Sequence, residues 1–316
     1  MSSKKTCTVL KIEKLSDDTS SFEFEIDKGI FESVEPGAHL DVYLKNDLIK
    51  QYSLWNWSDD HKRVSVAVKR EDDGAGGSKA MHQLKEGQKV ELDGPRNHFK
   101  LIPNAPHYTL VAGGIGVTPI FSMVKALQKQ GASFDVYYLV QNRILAAFAA
   151  HFDALNLGDN YHLHSDEESG YIDFKQLLNE SPKDSLIYAC GPEPMLNALM
   201  KANQEQAKEH ELHYEKFSAS SDKQDLESTS FLVKINSTGV IYEISADDSI
   251  LGVLTDDGID IPSACTSGVC GTCITDVLEG DIDHRDEILS DEEKASNEYM
   301  CVCVSRAKSG MIVLDL

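Results

Sequence analysis

Four cysteines near the C-terminus constrain this chain most strongly. Cys265, Cys270 and Cys273 follow the pattern C-x4-C-x2-C, and Cys303 comes after 29 intervening residues. A plant-type [2Fe-2S] centre uses this spacing, because two bridged irons need four terminal thiolates, most of them on one tight loop. The small residues between the cysteines allow the backbone to wrap closely and to direct N–H groups at the sulfur atoms. The stretch therefore predicts an iron–sulfur site.

Two questions about these cysteines stay open at this point. A structural zinc site also takes four thiolates, but it usually joins two C-x2-4-C pairs, and only Cys270 and Cys273 form such a pair here. Cys301 is also near the position of the fourth ligand, since residues two apart on a strand share a face. The spacing favours Cys303, and we expect Cys301 to be a small buried side chain.

Length and composition limit the class of protein. A chain of 316 residues is too long for one ordinary core and predicts two or three domains. No apolar run approaches the roughly 20 residues of a membrane span, and the start Met-Ser-Ser-Lys-Lys lacks the apolar segment of a signal peptide. An odd number of cysteines, seven, fits a reducing compartment. These features predict a cytoplasmic protein with no membrane partner.

Negative charge is concentrated in the last third of the chain. The formal net charge is −22, and residues 225–316 carry 19 acidic against 5 basic side chains, a difference of −14. Such charge repels phosphates and argues against nucleic acid as a partner. Acidic surface favours solubility, and it also steers a protein toward a positively charged partner. Docking to a basic patch of an electron-accepting protein is the functional interpretation.

The first third of the chain predicts an antiparallel barrel, because short β-branched or aromatic runs alternate with turn residues. These runs cover residues 6–15, 21–27, 39–44, 50–55, 63–70 and 89–93.

Two stretches of this barrel carry chemistry. One is Lys50-Gln51-Tyr52-Ser53, and the other is Val68-Lys69 followed by Gly76-Gly77-Ser78 and a short helical run. Glycines that lead to a Ser N-cap leave backbone N–H groups free at a helix start, where they can hold an anion such as phosphate.

Strands and helices alternate after residue 105. Apolar runs at 108–112, 134–140, 160–164 and 186–189 are separated by helical patterns at 118–130, 146–155 and 173–179, and another helix follows at 194–208. This alternation predicts a parallel sheet that binds its ligand at the carboxyl ends of the strands.

Candidate ligand-binding residues follow these strands. Asp166 comes directly after one strand, where a carboxylate would accept from ribose hydroxyls and favour NADH over NADPH. The turns after two other strands contain Gly113, Gly114 and Gly116, and Cys190-Gly191-Pro192.

The C-terminal stretch predicts a small mixed domain. Residues 219–229 are polar and are expected to form a linker. A hairpin at 231–236 and 240–244, a helix at 249–255, the cysteine loop, a strand at 274–278 and a returning strand at 300–304 are typical of a β-grasp ferredoxin.

Five motifs in a fixed order link the chain to a known family. They are Lys-Gln-Tyr-Ser at 50–53, Gly-Gly-Ser at 76–78, Gly-Gly-Ile-Gly-Val-Thr-Pro at 113–119, Cys-Gly-Pro at 190–192 and the C-terminal cysteines. With these motifs the chain resembles the phthalate dioxygenase reductase family, and equally the vanillate demethylase and carnitine monooxygenase reductase subunits. The resemblance covers essentially the whole chain. It implies an FMN-binding β-barrel over 1–104, an NAD-binding α/β domain over 105–218 and a [2Fe-2S] ferredoxin domain over 230–316.

The resemblance also implies roles for individual residues. Tyr52 and Ser53 would contact the isoalloxazine, Thr118 would reach the flavin and Phe217 would cover its ring. Cys190-Gly191-Pro192 would lie near the nicotinamide. Lys69, Gly76, Gly77 and Ser78 would hold the ribityl phosphate, and Gln51 and Val68 complete the predicted cofactor-binding set. Lys50 stands where the family has arginine; lysine keeps the charge but loses the bidentate fork. The resemblance implies FMN, and the motif does not strictly exclude FAD.

The implied function is electron transfer. Electrons would pass from NADH to FMN, then to the [2Fe-2S] cluster bound by Cys265, Cys270, Cys273 and Cys303, and then to a separate Rieske-type oxygenase. A cytochrome P450 or a ferredoxin is an alternative acceptor. A redox-sensing iron–sulfur flavoprotein is an alternative of another class.

Overall fold

The structure is a computed structural model that describes residues 4–32, 34–45, 48–72, 76–206, 210–217, 228–263 and 265–316. The chain divides into two compact units, with the boundary after Phe217. The predicted linker at 219–229 lies outside the described residues except for Ser228 and Thr229.

Six antiparallel strands form a closed barrel at the start of the first unit, which confirms the predicted architecture. In one of them Phe22, Phe24 and Ile26 point into the barrel core and alternate with Glu23 and Glu25. Closure leaves the sheet without a free edge. The elements are β1 (Lys5–Lys14), β2 (Thr19–Ile26), β3 (His39–Tyr43), β4 (Ile49–Trp57), β5 (Arg63–Lys69), the short helix α1 (Gly77–His82) and β6 (Lys89–Arg96), with the strand order β1-β2-β5-β4-β3-β6.

A parallel five-stranded sheet forms the rest of the first unit, again as predicted. Its first strand is buried at every position, because helices cover both faces. The elements are β7 (Tyr108–Gly113), α2 (Val117–Gln130), β8 (Phe134–Val140), α3 (Ala149–Leu155), β9 (Tyr161–Ser165), α4 (Asp166–Ser169), α5 (Phe174–Glu180), β10 (Leu186–Cys190), α6 (Glu193–Gln204) and β11 (Glu211–Glu215), with the strand order β11-β10-β7-β8-β9.

Helix α2 joins the barrel to the parallel sheet. Trp55 of β4 meets Phe121 of α2 and Phe148 with ring centroids 5.9 and 5.3 Å apart. The indole N–H of Trp55 donates to Ser21 Oγ at 3.2 Å, which satisfies its polar atom in this buried position. The helix ends, as predicted, at Gly131 in the left-handed region with φ +65°. One apolar cluster therefore includes residues of both the barrel and the sheet.

The second unit is a small mixed sheet with a core of its own, and it confirms the predicted β-grasp shape. Its main sheet has the strand order β13-β12-β18-β14-β16, and β15 pairs with β17 separately. The elements are β12 (Phe231–Ile235), β13 (Ile241–Ile244), α7 (Ile250–Asp256), β14 (Ile274–Glu279), β15 (Ile282–Asp283), α8 (Asp291–Ser296), β16 (Tyr299–Cys301), β17 (Arg306–Ala307) and β18 (Met311–Leu314).

The returning strand of this unit is shorter than the sequence predicts. We expected a strand over 300–304, but β16 ends at Cys301. The N–H groups of Val304 and Ser305 both donate to the Cys301 carbonyl, at 3.1 and 2.9 Å, so turn hydrogen bonds replace the strand ladder. Cys303 lies in this turn. The prediction that Cys301 and Cys303 share one strand face is therefore wrong.

The helices are short. None of those found in the described ranges has both the length and the apolar composition that a membrane span requires.

Candidate functional site

A cavity of about 650 Å³ opens at the carboxyl ends of the parallel strands. Residues 113–115 at the end of β7, Asp166 after β9 and Pro192 after β10 line it, and Lys69 of the barrel contributes to its wall. Ligands of open parallel sheets bind at this edge. The structure therefore brings three of the predicted nucleotide-binding segments to one cavity.

The two glycine turns after β7 and β10 are packed against each other. A Cβ built on Gly116 would lie 2.3 Å from the Cys190 carbonyl oxygen, and one on Gly191 would lie 2.9 Å from the Gly113 Cα. A Cβ on Gly113 would lie 2.5 Å from Met195 Sδ. Real Cβ atoms do not approach other atoms so closely, so only glycine allows these two turns to meet.

Lys50 lies against the start of α1. A Cβ built on Gly77 would lie 2.5 Å from Lys50 Cγ, so the lysine stem occupies the space that the missing side chain leaves. The N-cap residue is Gly76, with φ +86° and no side-chain cap. The predicted N-cap Ser78 is wrong, because this conformation favours glycine. The Ser78 hydroxyl instead accepts from the Glu71 N–H at 3.0 Å and donates to the Glu71 carbonyl at 3.3 Å.

Four other predicted residues are held by local contacts. The Gln51 amide donates to Asp41 Oδ1 at 3.0 Å, and Thr118 Oγ1 donates to the Ile115 carbonyl at 3.1 Å. Lys69 Nζ lies 3.7 Å from a carboxylate oxygen of Asp18, at the edge of the cavity. The side chain of Val68 lies in the barrel core, so only its backbone can face a ligand.

The two predicted aromatic contacts differ in exposure. Tyr52 packs against the barrel core. Burial raises the pKa of its phenol, and the negative charge of Glu71 raises it further. Phe217 is 45% exposed at the end of the first unit. An exposed aromatic ring offers a face that can stack on a flat ligand.

Ser53, Cys190 and Glu215 meet where the barrel joins the sheet. Cys190 of β10 pairs with Glu215 of β11, and the Ser53 hydroxyl of β4 donates to the Glu215 carboxylate. Burial raises the pKa of Glu215 to about 8, against the opposing effect of this hydrogen bond. Burial, together with the charge of Glu215, raises the pKa of the Cys190 thiol. The site can therefore hold a proton on a carboxylate near neutral pH.

Sequence reasoning missed Glu215. Its Oε2 atom is buried and has no hydrogen-bond partner among the described residues, which fits a position that faces a ligand. The available signal was its place at the carboxyl end of the last parallel strand, the edge at which ligands bind.

The four predicted metal ligands form two pairs of thiols. The Cys270 thiol forms a hydrogen bond with the Cys265 sulfur, and the Sγ atoms of Cys273 and Cys303 are 3.1 Å apart. Within the described ranges, no three or more Cys, His, Asp or Glu side chains form a site for one metal ion. Two thiolates for each of two irons is the donor set of a [2Fe-2S] cluster.

Backbone N–H groups point at these sulfur atoms. The pKa of Cys265 is lowered to about 5, mainly by a hydrogen bond with the Cys270 thiol. Burial opposes this shift, and hydrogen bonds from Ser267 and from the Val269 N–H add to it. Gly268, with φ +78°, places its N–H near Cys303. Such donors stabilise thiolates and tune the potential of a cluster. The loop therefore fits the predicted cluster.

Cys301 also approaches the pair formed by Cys273 and Cys303. The Cys301 thiol makes the largest contribution to lowering the pKa of Cys273, and the Cys303 thiol makes the next largest. Cys301 is fully buried in the domain core, whereas Cys303 is also close enough to Cys265 for their charges to interact. Cys303 thus belongs to one pair and lies near the other, and its assignment as the fourth ligand stays a prediction.

Three family profiles match the chain in sequence order. Residues 6–101 match the "Oxidoreductase FAD-binding domain", residues 110–201 the "Oxidoreductase NAD-binding domain" and residues 233–308 the "2Fe-2S iron-sulfur cluster binding domain". These ranges fall on the barrel, the parallel sheet and the small mixed sheet.

Curated relatives match over nearly the full length. Phthalate dioxygenase reductase from Burkholderia cepacia is 38% identical over 313 residues, which cover 96% of this chain and 95% of that protein. The chain belongs to the phthalate dioxygenase reductase family. Tetrachlorobenzoquinone reductase from Sphingobium chlorophenolicum is 36% identical over 98% of this chain and 97% of that protein.

Solved structures agree with this membership of the phthalate dioxygenase reductase family. The solved structure of phthalate dioxygenase reductase aligns with a TM-score of 0.70 and 36% identity, over 98% of this chain and 97% of that one. An intact type IV self-sufficient cytochrome P450 monooxygenase aligns with a TM-score of 0.89 and 32% identity, over 99% of this chain but only 41% of that one. This reductase is an NADH-dependent iron–sulfur flavoprotein oxidoreductase, in which electrons pass from NADH through a flavin to a [2Fe-2S] cluster.

Proposed function

We propose that this reductase binds FMN and delivers single electrons from its cluster to the terminal component of a Rieske-type oxygenase. The observation that carries the proposal is the presence, in one chain, of a closed barrel, a cavity at the strand ends and two thiol pairs formed by the cysteine loop and the turn that contains Cys303. The bound flavin would convert the two-electron chemistry of NADH into single-electron steps.

Lys50 and the start of α1 are proposed to bind the flavin phosphate. The lysine stem lies against Gly77, and the N-cap residue of the helix makes no side-chain hydrogen bond. The Lys50 ammonium and the backbone N–H groups of the first turn would then face the phosphate together. Both groups favour an anion. FMN, which ends in a phosphate, fits this arrangement. Mass spectrometry of the flavin released by heat from the purified protein tests this proposal, and FAD as the only flavin would contradict it.

Ser53, Cys190 and Glu215 are proposed to border the reacting ends of flavin and nicotinamide. Burial raises the pKa of Glu215 to about 8, so at neutral pH it is proposed to place a protonated, uncharged carboxyl group beside the Ser53 hydroxyl. Cys190 stays a neutral thiol, because burial raises its pKa well above the ordinary value. The close packing of the turns at Gly116 and Gly191 would fix the distance between these groups and the nicotinamide. The remaining predicted contacts, Tyr52, Thr118 and Phe217, are proposed to flank the flavin ring.

The acceptor is proposed from charge and similarity. The last 92 residues carry a charge of −14, which would steer the cluster domain toward a basic surface at a rate that falls with salt. The chain is similar over nearly its whole length to phthalate dioxygenase reductase, whose name refers to a dioxygenase. The cytoplasm is the proposed compartment, because the seven cysteines form no disulfide.

A cytochrome P450 is the second candidate acceptor, since the chain aligns over 99% of its length with part of a self-sufficient P450. A quinone is a third, suggested by the similarity to tetrachlorobenzoquinone reductase.

One experiment separates the three acceptors. The NADH-reduced protein is mixed anaerobically with a purified Rieske oxygenase component, with a cytochrome P450 or with a benzoquinone, and the rate of acceptor reduction is measured. The same is done with a Cys265→Ser variant, which is expected to lack the cluster. We expect the oxygenase to be reduced fastest and only when the cluster is present. Faster reduction of the P450 would contradict the proposal, and so would quinone reduction that survives loss of the cluster.

A further inference from the structure

Two loops meet at the outer end of the strand-end cavity. Strands β8 and β9 are neighbours in the sheet, and residues 141–145 and 166–169 follow them directly. The Glu167 N–H donates to the Gln141 carbonyl at 3.0 Å, which holds the loops together. Gln141 and Asp166 line the cavity. In sheets of this kind the adenine ribose of a dinucleotide lies close to such a carboxylate.

Arg143 and Glu168 form an ion pair across these loops. Arg143 Nε donates to both carboxylate oxygens of Glu168, at 2.8 and 2.9 Å. The backbone that carries Arg143 is fixed by Asn142, whose side chain accepts from the Leu145 N–H at 3.2 Å. The only arginine in these two loops is therefore already paired with a carboxylate.

We propose that the Arg143–Glu168 ion pair makes this reductase prefer NADH to NADPH. The inference rests on the proposed binding of the adenosine end of NADH beside Asp166. A ribose 2'-hydroxyl can donate a hydrogen bond to that carboxylate, whereas a 2'-phosphate would be repelled by the carboxylates of Asp166, Glu167 and Glu168. The one guanidinium in these two loops, that of Arg143, is already paired with Glu168. An arginine in this region is what accommodates the phosphate of NADPH in related folds.

The ion pair is suited to this role because it contributes little to stability. The two side chains are 56% and 50% exposed, and exposed pairs contribute little to folding. Glu168→Gln should therefore leave the fold intact and free the guanidinium, which binds phosphate through charge-assisted hydrogen bonds. Glu167→Gln removes the same charge one residue away and leaves the ion pair in place, so it is a matched control.

The test uses ligands that lack nicotinamide. Binding of ADP-ribose and of 2'-phospho-ADP-ribose to the full-length chain is measured by calorimetry for the wild type, Glu168→Gln, Glu167→Gln and the double variant Arg143→Gln/Glu168→Gln. Thermal unfolding checks that each variant is folded. We expect the wild type to prefer ADP-ribose, and Glu168→Gln to shift the ratio of the two dissociation constants about tenfold toward the phosphorylated ligand. The double variant should lose this gain.

Three results would overturn the inference. The first is a shift of the ratio in Glu168→Gln that is no larger than the shift in Glu167→Gln, and the second is a double variant that keeps the gain without Arg143. Either result, with ADP-ribose bound by the wild type, would reject the ion pair alone. The third is that neither ligand binds the wild-type chain; the cavity would then not be the nucleotide site, and the proposed function would fail together with the inference.

Discussion

Replacing Glu215 by glutamine is expected to remove a pH-dependent loss of stability from the first unit. Burial raises the pKa of Glu215 from an ordinary value of 4.5 to about 8. The unfolded chain releases this proton near the lower value, and the folded chain keeps it up to the higher one. Between them the folded state binds more protons, so the free energy of unfolding falls as pH rises.

The size of the effect follows from these two values. One pKa unit corresponds to about 1.4 kcal/mol. Between about pH 5.5 and about pH 8.5 the wild type should lose about 3 kcal/mol of unfolding free energy relative to Glu215→Gln. Urea unfolding, monitored by tryptophan fluorescence, measures the unfolding free energy of the first unit, because both tryptophans of the chain, Trp55 and Trp57, lie in its strand β4.

The control is Glu167→Gln, which changes an exposed carboxylate of the same unit. It should follow the wild type across the pH range. Equal pH dependence of the wild type and Glu215→Gln would refute the reasoning, because it would mean that the carboxylate ionises in the folded state as freely as in the unfolded chain.

Three further predictions concern the predicted ligands and turns. Cys303→Ser should abolish the [2Fe-2S] EPR signal while Cys301→Ser keeps it, and an unchanged signal in Cys303→Ser would overturn the fourth-ligand assignment. Gly116→Ala should slow flavin reduction by NADH at least tenfold, because its Cβ would lie 2.3 Å from the Cys190 carbonyl oxygen; Gly310→Ala, where a Cβ meets nothing within 4 Å, is the control. Lys50→Gln should weaken flavin binding about tenfold or more and Lys50→Arg should not, as measured by flavin fluorescence on dilution; equal retention in both variants would contradict a phosphate contact.

The architecture could be predicted because it depends on local patterns. Alternation in β2, with Phe22 and Phe24 on one face, defines a barrel strand, and Gly131 marks the end of α2 whatever lies around it. The cysteine spacing is also local, since three of the four thiols lie within nine residues, from Cys265 to Cys273. Such signals are present in the sequence before the chain folds.

The parts that could not be predicted depend on contacts between distant segments. The sequence places Glu215 at the carboxyl end of a strand, but its raised pKa depends on burial beside Ser53 of the barrel and Cys190 of the sheet, which are distant in the sequence. The end of β16 at Cys301 depends on hydrogen bonds within a turn that a pattern of apolar residues does not show. The N-cap of α1 falls on Gly76 because of its backbone conformation, not because of side-chain chemistry.

The order of electron flow is the central claim, and anaerobic stopped-flow mixing with NADH tests it most directly. In the complete protein, flavin absorbance should fall first and cluster absorbance should follow. After removal of the flavin, NADH should leave the cluster oxidised, and adding FMN back should restore its reduction. Cluster reduction at an undiminished rate without flavin would contradict this order, and so would flavin reduction that never reaches the cluster.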